Sequence, residues 1–337
     1  MLIVPDRAGP AQPRASSPPR ELGSVRRTTS IDSSHPHGMS GPIEVDARAR
    51  DLRTGEGTWA DEQQLMATLG ADRVIVAIAA EPAEPRLARL VGATAGPGFR
   101  ARMTELLPDH AERRTLLHTL LDDLPGASLV SGYAMQRTNP PVVPAGGGGY
   151  ARHVKVAEDM CAGWASDATI VVTFRATGEI PHPIGPPAPA LERNGDPLSW
   201  HDMAPLPPES TRRRRRLDVL PPSEETRSWA FDSHFRDSYC DADGAETAIH
   251  EYLVDGWISE DGRHLGDVRA QALVLPWVEC PGAVASAGRL AGRVLADLRA
   301  EVRAEFVGTA TCTHLNDSFR VLADLEPLLH LAEAGPG

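Results

Sequence analysis

Residues 25–52 read VRRTTSIDSSHPHGMSGPIEVDARARDL and hold two strand-like segments on either side of a turn. The segments Val25 to Ile31 and Ile43 to Leu52 flank a polar stretch, Ser33 to Gly38, that contains proline and glycine. Turn-forming residues between two β-favouring runs predict a long hairpin. A third strand over Arg73 to Ala79 is expected next, followed by helices over about 85–91, 98–107 and 111–124.

The same order of elements is expected again later in the chain. Strands are predicted over 227–239, 247–258 and 268–275, and helices over 281–306 and 314–329. Short parallels connect the halves at offsets of about 200 residues: 69–74 with 265–269, Leu90 to Gly92 with Leu290 to Gly292, and Thr115 to His118 with Thr311 to His314. A repeated unit changes the fold expectation to two similar lobes. We therefore predict an α+β fold with an internal duplication, each lobe being an antiparallel sheet packed against helices.

Composition sets the expected domain boundaries. Residues 1–22 are rich in proline, serine, alanine and arginine, which predicts a disordered tail. An N-terminal α+β lobe over 23–138 and a C-terminal lobe over 212–333 flank a loop-rich segment, 139–211. That segment contains one predicted strand, Ala168 to Phe174, and the proline-rich stretch Pro181 to Pro189, which predicts a surface crossing or a linker. The glycine run Gly146 to Gly149 predicts a flexible connector, because no Lys-Ser/Thr pair follows it as in a phosphate loop.

Charge and hydropathy narrow the class of protein. The chain has 337 residues, 41% of them hydrophobic, and a formal net charge of -12. Such a charge disfavours nucleic acid and anionic membranes as partners. The run Arg212 to Arg216 argues the other way, and we interpret it as a solvated strand or loop, with an anion-binding patch as the alternative. Neither a transmembrane stretch nor a signal peptide is recognisable, so we expect a cytoplasmic protein with reduced cysteines.

Two cysteines and two histidines form the candidate site. Cys280 precedes Pro281, and Cys312 precedes an amphipathic pattern, so each is expected at a helix start, where unpaired N–H groups favour a thiolate. His314 follows two residues after Cys312, and His250 lies on an expected strand face with Tyr252. The predicted metal ligands are Cys280, Cys312, His314 and His250, with His314 and His250 as the catalytic pair. The alternatives are buried structural thiols and a core histidine bonded to backbone.

Other polar groups have plainer interpretations. His35 and His37 are expected at a solvated hairpin tip, and Asp122-Asp123 and Trp200-His201-Asp202 as surface groups. His234 and Asp237 alternate on a strand and could line a pocket with His250. No nucleophile elbow and no nucleotide-binding motif is present.

Several segments resemble an actinobacterial branch of the family called domain of unknown function 2889. They are Arg26 to Asp32, Ala47 to Leu52, His234 to Ser238, Ile249 to Tyr252, Glu279 to Pro281 and Thr311 to Asp317. The most specific piece is Cys312-Thr313-His314-Leu315, similar to a Gly-Cys-Thr-His-Leu motif, with Thr311 in the place of the glycine. The resemblance extends over nearly the whole chain after the tail, and it implies no activity.

The C-terminal lobe also resembles the layout of NifU-type iron-sulfur scaffold proteins. Cys240 beside an acidic turn, Glu279-Cys280-Pro281 and Cys312 at a helix start carry this likeness, which implies metal held by cysteines.

Three functions are therefore open at this point. The first is a zinc or iron enzyme of hydrolase or lyase type that acts on a small organic molecule. The second is a non-catalytic metal or iron-sulfur carrier that serves a metal client. The third is a metal-free small-molecule-binding protein. The substrate, the oligomeric state and the role of Cys161 do not follow from the sequence.

Overall fold

The computed structural model describes residues 2–55, 58–138, 154–155, 157–223 and 227–334. Its centre is one antiparallel sheet of eight strands in the order β4-β3-β2-β1-β5-β6-β7-β8. The strands are β1 (Val25–Ser34), β2 (Ile43–Arg53), β3 (Trp59–Leu69), β4 (Ile75–Glu81), β5 (Ser210–Leu220), β6 (Trp229–Cys240), β7 (Glu246–Ile258) and β8 (Leu265–Val274).

Helices cover one face of this sheet. The α-helices are α1 (Phe99–Leu106), α2 (Pro108–Arg113), α3 (Leu116–Thr138), α4 (Thr169–Thr177), α5 (Leu298–Glu305), α6 (Thr313–Val321) and α7 (Leu325–Glu333). Short 3₁₀ helices lie at Pro5–Arg7, Pro85–Leu90, Ala162–Trp164, Cys280–Leu290, Leu295–Asp297 and Leu322–Asp324. No helix among the described residues is long and apolar enough to cross a membrane.

The mixed helix and sheet architecture is confirmed, and so is the first hairpin, in which Val25 pairs with Arg53. The sheet, however, is continuous across the two halves, because β1 pairs with β5 in antiparallel register from Val25 with Val219. This differs from the expectation of a separate sheet in each lobe. Pairing the first strand of each half gives both strands a second neighbour, and β4 and β8 are the outermost of the eight strands that the structure describes.

Each half closes its last strand with the same backbone arrangement. Gly92 N donates to Ile75 O at 2.8 Å, and Gly292 N donates to Leu265 O at 2.7 Å. Both glycines have positive φ, +81° and +77°, which favours glycine at these turns. Residues 90–92 and 290–292 thus make the same contact with the first residue of the last strand, Ile75 in one half and Leu265 in the other, whereas the sequence parallel matches Leu265 with Leu69.

The arginine run lies in a central strand and not in a solvated segment. Arg212 to Arg216 belong to β5, and each of the five is at most 6% exposed. Alternation in β5 sends Arg213 and Arg215 to the helix-covered face and the other three to the opposite face. The prediction of a solvated strand or loop was wrong, because a run of like charge carries no information about the carboxylates that other strands place beside it.

Those carboxylates come from both halves of the chain. Arg213 donates to Asp237 of β6 at 2.8 Å, and Arg215 donates to Asp123 of α3 at 2.6 Å. Two further pairs link β1 with β5 in a reciprocal way: Arg26 with Asp218 at 2.7 Å, and Arg212 with Asp32 at 2.6 Å. Removing one member of a buried pair costs about 3–5 kcal/mol, since the other charge is left uncompensated.

The N-terminal segment and the proline-rich crossing pair along the β7/β8 edge of the sheet and then reach its second face. Ala8 and Ala11 form bridges with Trp277 and Val274. Arg14 N donates to Glu251 Oε1 at 2.9 Å. The structure thus differs from the expectation of a disordered tail over 1–22, because backbone hydrogen bonds and a charged acceptor anchor a segment that has few large apolar side chains.

The middle of the chain contains the remaining differences. Residues Thr169–Thr177 form α4 and not the predicted strand, and Glu279 Oε1 accepts hydrogen bonds from both Thr169 N and Thr169 Oγ1 at the start of this helix. The strand β3, with the sequence WADEQQLMATL, was missed because much of it is polar and exposed. The turn Asn139-Pro140-Pro141 and the Gly146 to Gly149 run lie outside the described residues.

Candidate metal centre

Asp237, His250 and His314 converge on the helix-covered face of the sheet. Each offers a ligand atom within 4.8 Å of those of the other two, and they form the one group of three or more such side chains among the described residues. Asp237 comes from β6, His250 from β7 and His314 from α6. His250 Nδ1 lies 3.4 Å from Asp237 Oδ2, and His314 Nε2 lies 3.9 Å from the same oxygen.

A β-bulge brings His250 to this position. The register of β6 and β7 shifts between Asp237 and Ser238, so Asp237 pairs with His250 while Ser238 pairs with Ala248. The extra residue is Ile249, which packs with Tyr239 in a small core cluster. A bulge re-aims side chains locally, and here two consecutive residues, Ile249 and His250, both serve the helix-covered side.

The start of α6 positions His314. Cys312 is the residue before the first turn, and Leu315 and Phe319 bury the inner face of the helix. The His314 ring stacks on that of His250, with centroids 3.7 Å apart, and lies 6.3 Å from the Phe235 ring. His314 Nδ1 lies 3.9 Å from Cys312 Sγ, so its two nitrogens face a thiol and a carboxylate.

Arg213 stabilises the negative charge of Asp237 at this site. Its guanidinium donates to both oxygens of Asp237, at 2.8 and 3.0 Å. Burial acts to raise the pKa of Asp237, but Arg213 outweighs it and holds that pKa well below the usual range. Burial, together with the neighbouring His250, holds the pKa of His314 well below its ordinary value. At neutral pH the site therefore contains an ionised carboxylate and a neutral imidazole.

His250 has a ring nitrogen, Nδ1, that could bind a ligand. Its Nδ1 is buried and makes no hydrogen bond of good geometry with any described residue. A buried ring nitrogen without a hydrogen bond is costly unless something else satisfies it. The His250 and His314 side chains keep 13% and 21% of their surface exposed.

The cysteines do not join this group as the sequence suggested. Cys280 is the first residue of its 3₁₀ helix and Cys312 precedes α6, as expected of helix starts. Both thiols are buried, however, and burial raises the pKa of each. The same cause raises the pKa of Cys161 to about 11. Loss of water thus acts against the thiolates that the helix starts predict.

Three cysteines and a tyrosine instead share one apolar region. Cys280 and Cys312 belong to the core of the C-terminal half, beside the fully buried Tyr252. The loop carrying Cys161 packs on it, with Ala162 N donating to Thr311 O at 2.9 Å. Of the predicted ligand set of Cys280, Cys312, His314 and His250, the two histidines meet Asp237, and Cys312 lies 3.9 Å from His314 Nδ1 on the side of that ring away from Asp237.

Several groups that the sequence placed at the surface are buried. His35 is 8% exposed, and Asp122 and Asp123 are buried among arginines. His201 lies between Thr28 Oγ1 and Ser30 Oγ, at 2.9 and 2.8 Å. The sequence favours Asp237 only as a pocket residue. The signal for its role in the centre is that it lies on the same face of β6 as Phe235, two residues earlier. Arg213 carried no signal of its own within the run of arginines.

Comparison with known proteins gives one family match. Residues 211–326 match the family model described as Protein of unknown function (DUF2889). The matched region contains Arg213, Asp237, His250 and His314, so the whole candidate centre lies within it. No curated protein and no solved structure matches the chain.

Proposed function

We propose that this protein is a metal-dependent enzyme of hydrolase or lyase type, with zinc or ferrous iron held by Asp237, His250 and His314. The observation that carries the proposal is the convergence of these three donors within 4.8 Å. Two imidazoles and one carboxylate are a donor set that suits both metals. Three protein ligands leave coordination positions open, which distinguishes a catalytic site from a closed structural one.

The residues around the three donors support ligation. Arg213 fixes the orientation of Asp237 through two hydrogen bonds, and each carboxylate oxygen retains a second lone pair. Such supporting contacts orient a ligand and hold it ionised. Phe235 and the stacked rings restrict rotation of His314. The donors are therefore pre-arranged.

A metal bound here would supply Lewis acidity toward a small organic substrate or a water molecule. The chain itself would bind the metal through Asp237 and His250 and keep His314 neutral by burial. Cys312, 3.9 Å from the other nitrogen of His314, would orient that ring. The competing functions from the sequence, an iron-sulfur carrier and a metal-free binding protein, differ from this one in metal content.

Elemental analysis of protein purified without air tests the proposal. About one equivalent of zinc or iron is expected, in a colourless or pale preparation. A brown protein with several irons and sulfides would identify a carrier instead. Protein that takes up no metal after dialysis against Zn²⁺ or Fe²⁺ would refute the proposal.

Variants distinguish the ligands that the structure favours, which include Asp237, from those that the sequence predicts, which include Cys312. His314→Gln and Asp237→Asn should each lower metal affinity at least tenfold, and Cys312→Ser should retain the metal. Loss of metal in Cys312→Ser with retention in Asp237→Asn would favour the cysteine set. His264→Gln is the matched control, since His264 forms only a surface pair with Asp261 at 3.0 Å.

We also infer that the two halves descend from one duplicated unit. The support is the repeated order of four strands and then helices, and the reciprocal Arg26–Asp218 and Arg212–Asp32 pairs across the central strands. An experimental structure tests this: residues 25–138 should superpose on 211–333 with matching strand order. Different paths of the helices after β4 and β8 would contradict it.

A further inference from the structure

A cavity of about 230 Å³ lies at the β8 edge of the sheet, apart from the three metal donors. It is enclosed by the N-terminal segment, the proline-rich crossing, the ends of β7 and β8 and, through Tyr133, the last turns of α3. Its wall includes Ala8, Tyr133, His182, Ile184, Ile249 and Trp277. Ile249 is the bulge residue next to His250, so the cavity abuts the chain segment that carries the candidate centre.

The walls are rigid. Five prolines line the cavity, and each fixes its own φ angle. The two covering segments are pressed against the sheet so closely that glycine is required in each. A Cβ on Gly9 would lie 2.4 Å from Leu275 O, and one on Gly185 would lie 1.5 Å from Ala248 O. Leu275 N donates to Pro10 O at 3.0 Å and holds the N-terminal segment in place. The cavity is therefore pre-formed, and a ligand loses little to reorganisation.

The lining determines the kind of ligand. No Asp, Glu, Lys or Arg side chain is among the lining residues, and most of them are aliphatic or proline. Three side chains of the wall carry polar atoms, namely Tyr133, His182 and the indole of Trp277. Tyr133 donates its hydroxyl to Pro183 O at 2.6 Å and accepts from Arg137 Nη1 at 3.3 Å, which leaves one lone pair on its oxygen for a ligand. Burial lowers the pKa of His182, so this imidazole is neutral at pH 7.

The volume fits one ring. An apolar cavity of about 150 Å³ holds benzene, and the space here is larger by roughly the room that one or two polar substituents need. The wall itself carries no cation, and Arg137, which lies outside the lining, already donates to the Tyr133 hydroxyl at 3.3 Å. A carboxylate in this cavity would lose its hydration without a counter-charge in the wall, which makes an anion a poor ligand.

We propose that this cavity is a binding site for a neutral single-ring compound with one hydroxyl or similar polar group, which hydrogen-bonds to Tyr133 or His182. The site goes beyond the proposed metal chemistry and does not depend on it.

Isothermal titration calorimetry of the full chain in EDTA, with p-cresol as the probe, tests the site without any metal. One saturable site is expected, and p-toluate, the same ring with a carboxylate, should bind at least tenfold more weakly. No saturation up to about 10 mM p-cresol, which corresponds to a binding free energy weaker than about 3 kcal/mol, would overturn the proposal. Equal affinity for the two compounds would also overturn it.

Two filling variants and a control locate the binding. Ala8→Phe and Ile184→Trp place a ring at the exposed part of the wall, and each should weaken p-cresol binding at least tenfold. Val278→Phe adds a ring nearby at an exposed position outside the cavity and should leave the affinity unchanged. Thermal unfolding by circular dichroism identifies any variant that fails to fold, and the other variant then decides. Undiminished binding in a folded filling variant would contradict the assignment.

Discussion

Replacing Asp123 by asparagine tests the buried arginine strand most directly. Asp123 accepts from Arg215 at 2.6 and 3.0 Å and from Arg213 at 3.0 Å, and the side chains of Asp123 and Arg215 are each 5% exposed. Arg213 keeps Asp237 as a partner, but Arg215 has no other carboxylate within ion-pairing distance in the described part of the chain. The Asp123→Asn variant therefore leaves one buried guanidinium uncompensated.

The expected loss is about 3 kcal/mol, at the lower end of the range for broken buried pairs, because the amide oxygen of asparagine still accepts one hydrogen bond. With a urea m-value of about 3 kcal/mol per molar, the unfolding midpoint should fall by about 1 M. Far-UV circular dichroism in urea measures it. The double variant Asp123→Asn, Arg215→Met removes both charges and should recover at least half of the loss, since a buried pair replaced as a unit is often neutral.

A surface carboxylate provides the control. Asp109→Asn breaks the pair with Arg86, in which the side chains are 43% and 38% exposed, and its midpoint should stay within error of the parent. A loss for Asp123→Asn no larger than for Asp109→Asn would refute the account of β5. So would a double variant in which the Asp123 and Arg215 effects simply add.

Three further outcomes are expected. Gly185→Ala should lower the free energy of unfolding in urea by about 2–3 kcal/mol because its Cβ would collide with Ala248 O. Gly282→Ala, with open space around it, should leave that free energy unchanged, and equal effects of the two variants would contradict the close approach of the proline-rich crossing to β7. Deleting residues 2–22 should cost about 3 kcal/mol, since charged groups on the sheet lose backbone partners, and an unchanged melting temperature would show that the segment is dispensable. Burial lowers the pKa of His234 to about 4, so the unfolded chain takes up this proton first as the pH falls. This group should then lower the free energy of unfolding by up to about 1.4 kcal/mol per pH unit as the pH falls from 6.5 to 4. Unfolding in EDTA at several pH values should show a smaller dependence of that free energy on pH for His234→Gln, and an unchanged dependence would contradict the buried neutral imidazole.

Two of the three residues of the candidate centre could be predicted from the sequence. His250 and His314 stood out as histidines near strand and helix starts, and the structure places them together. Asp237 could not be chosen, because its role depends on the bulge at Ile249 that sets its register against His250. Cys280 and Cys312 were expected as thiolates from their positions in the sequence, yet burial raises the pKa of both.

The sequence by itself determined the local elements whose pattern is periodic or bounded by turn residues. The first hairpin, the strands β6 to β8 and the helix starts at Cys280 and Cys312 follow from side-chain alternation, glycine and proline. Only the tertiary structure decided which charged and polar segments are buried. Five consecutive arginines form a central strand because carboxylates from β1, β6 and α3 reach them from both faces of the sheet. Several of these ion pairs join residues far apart in the chain, by 92 positions for Arg215 with Asp123 and 180 for Arg212 with Asp32, and local sequence does not encode them.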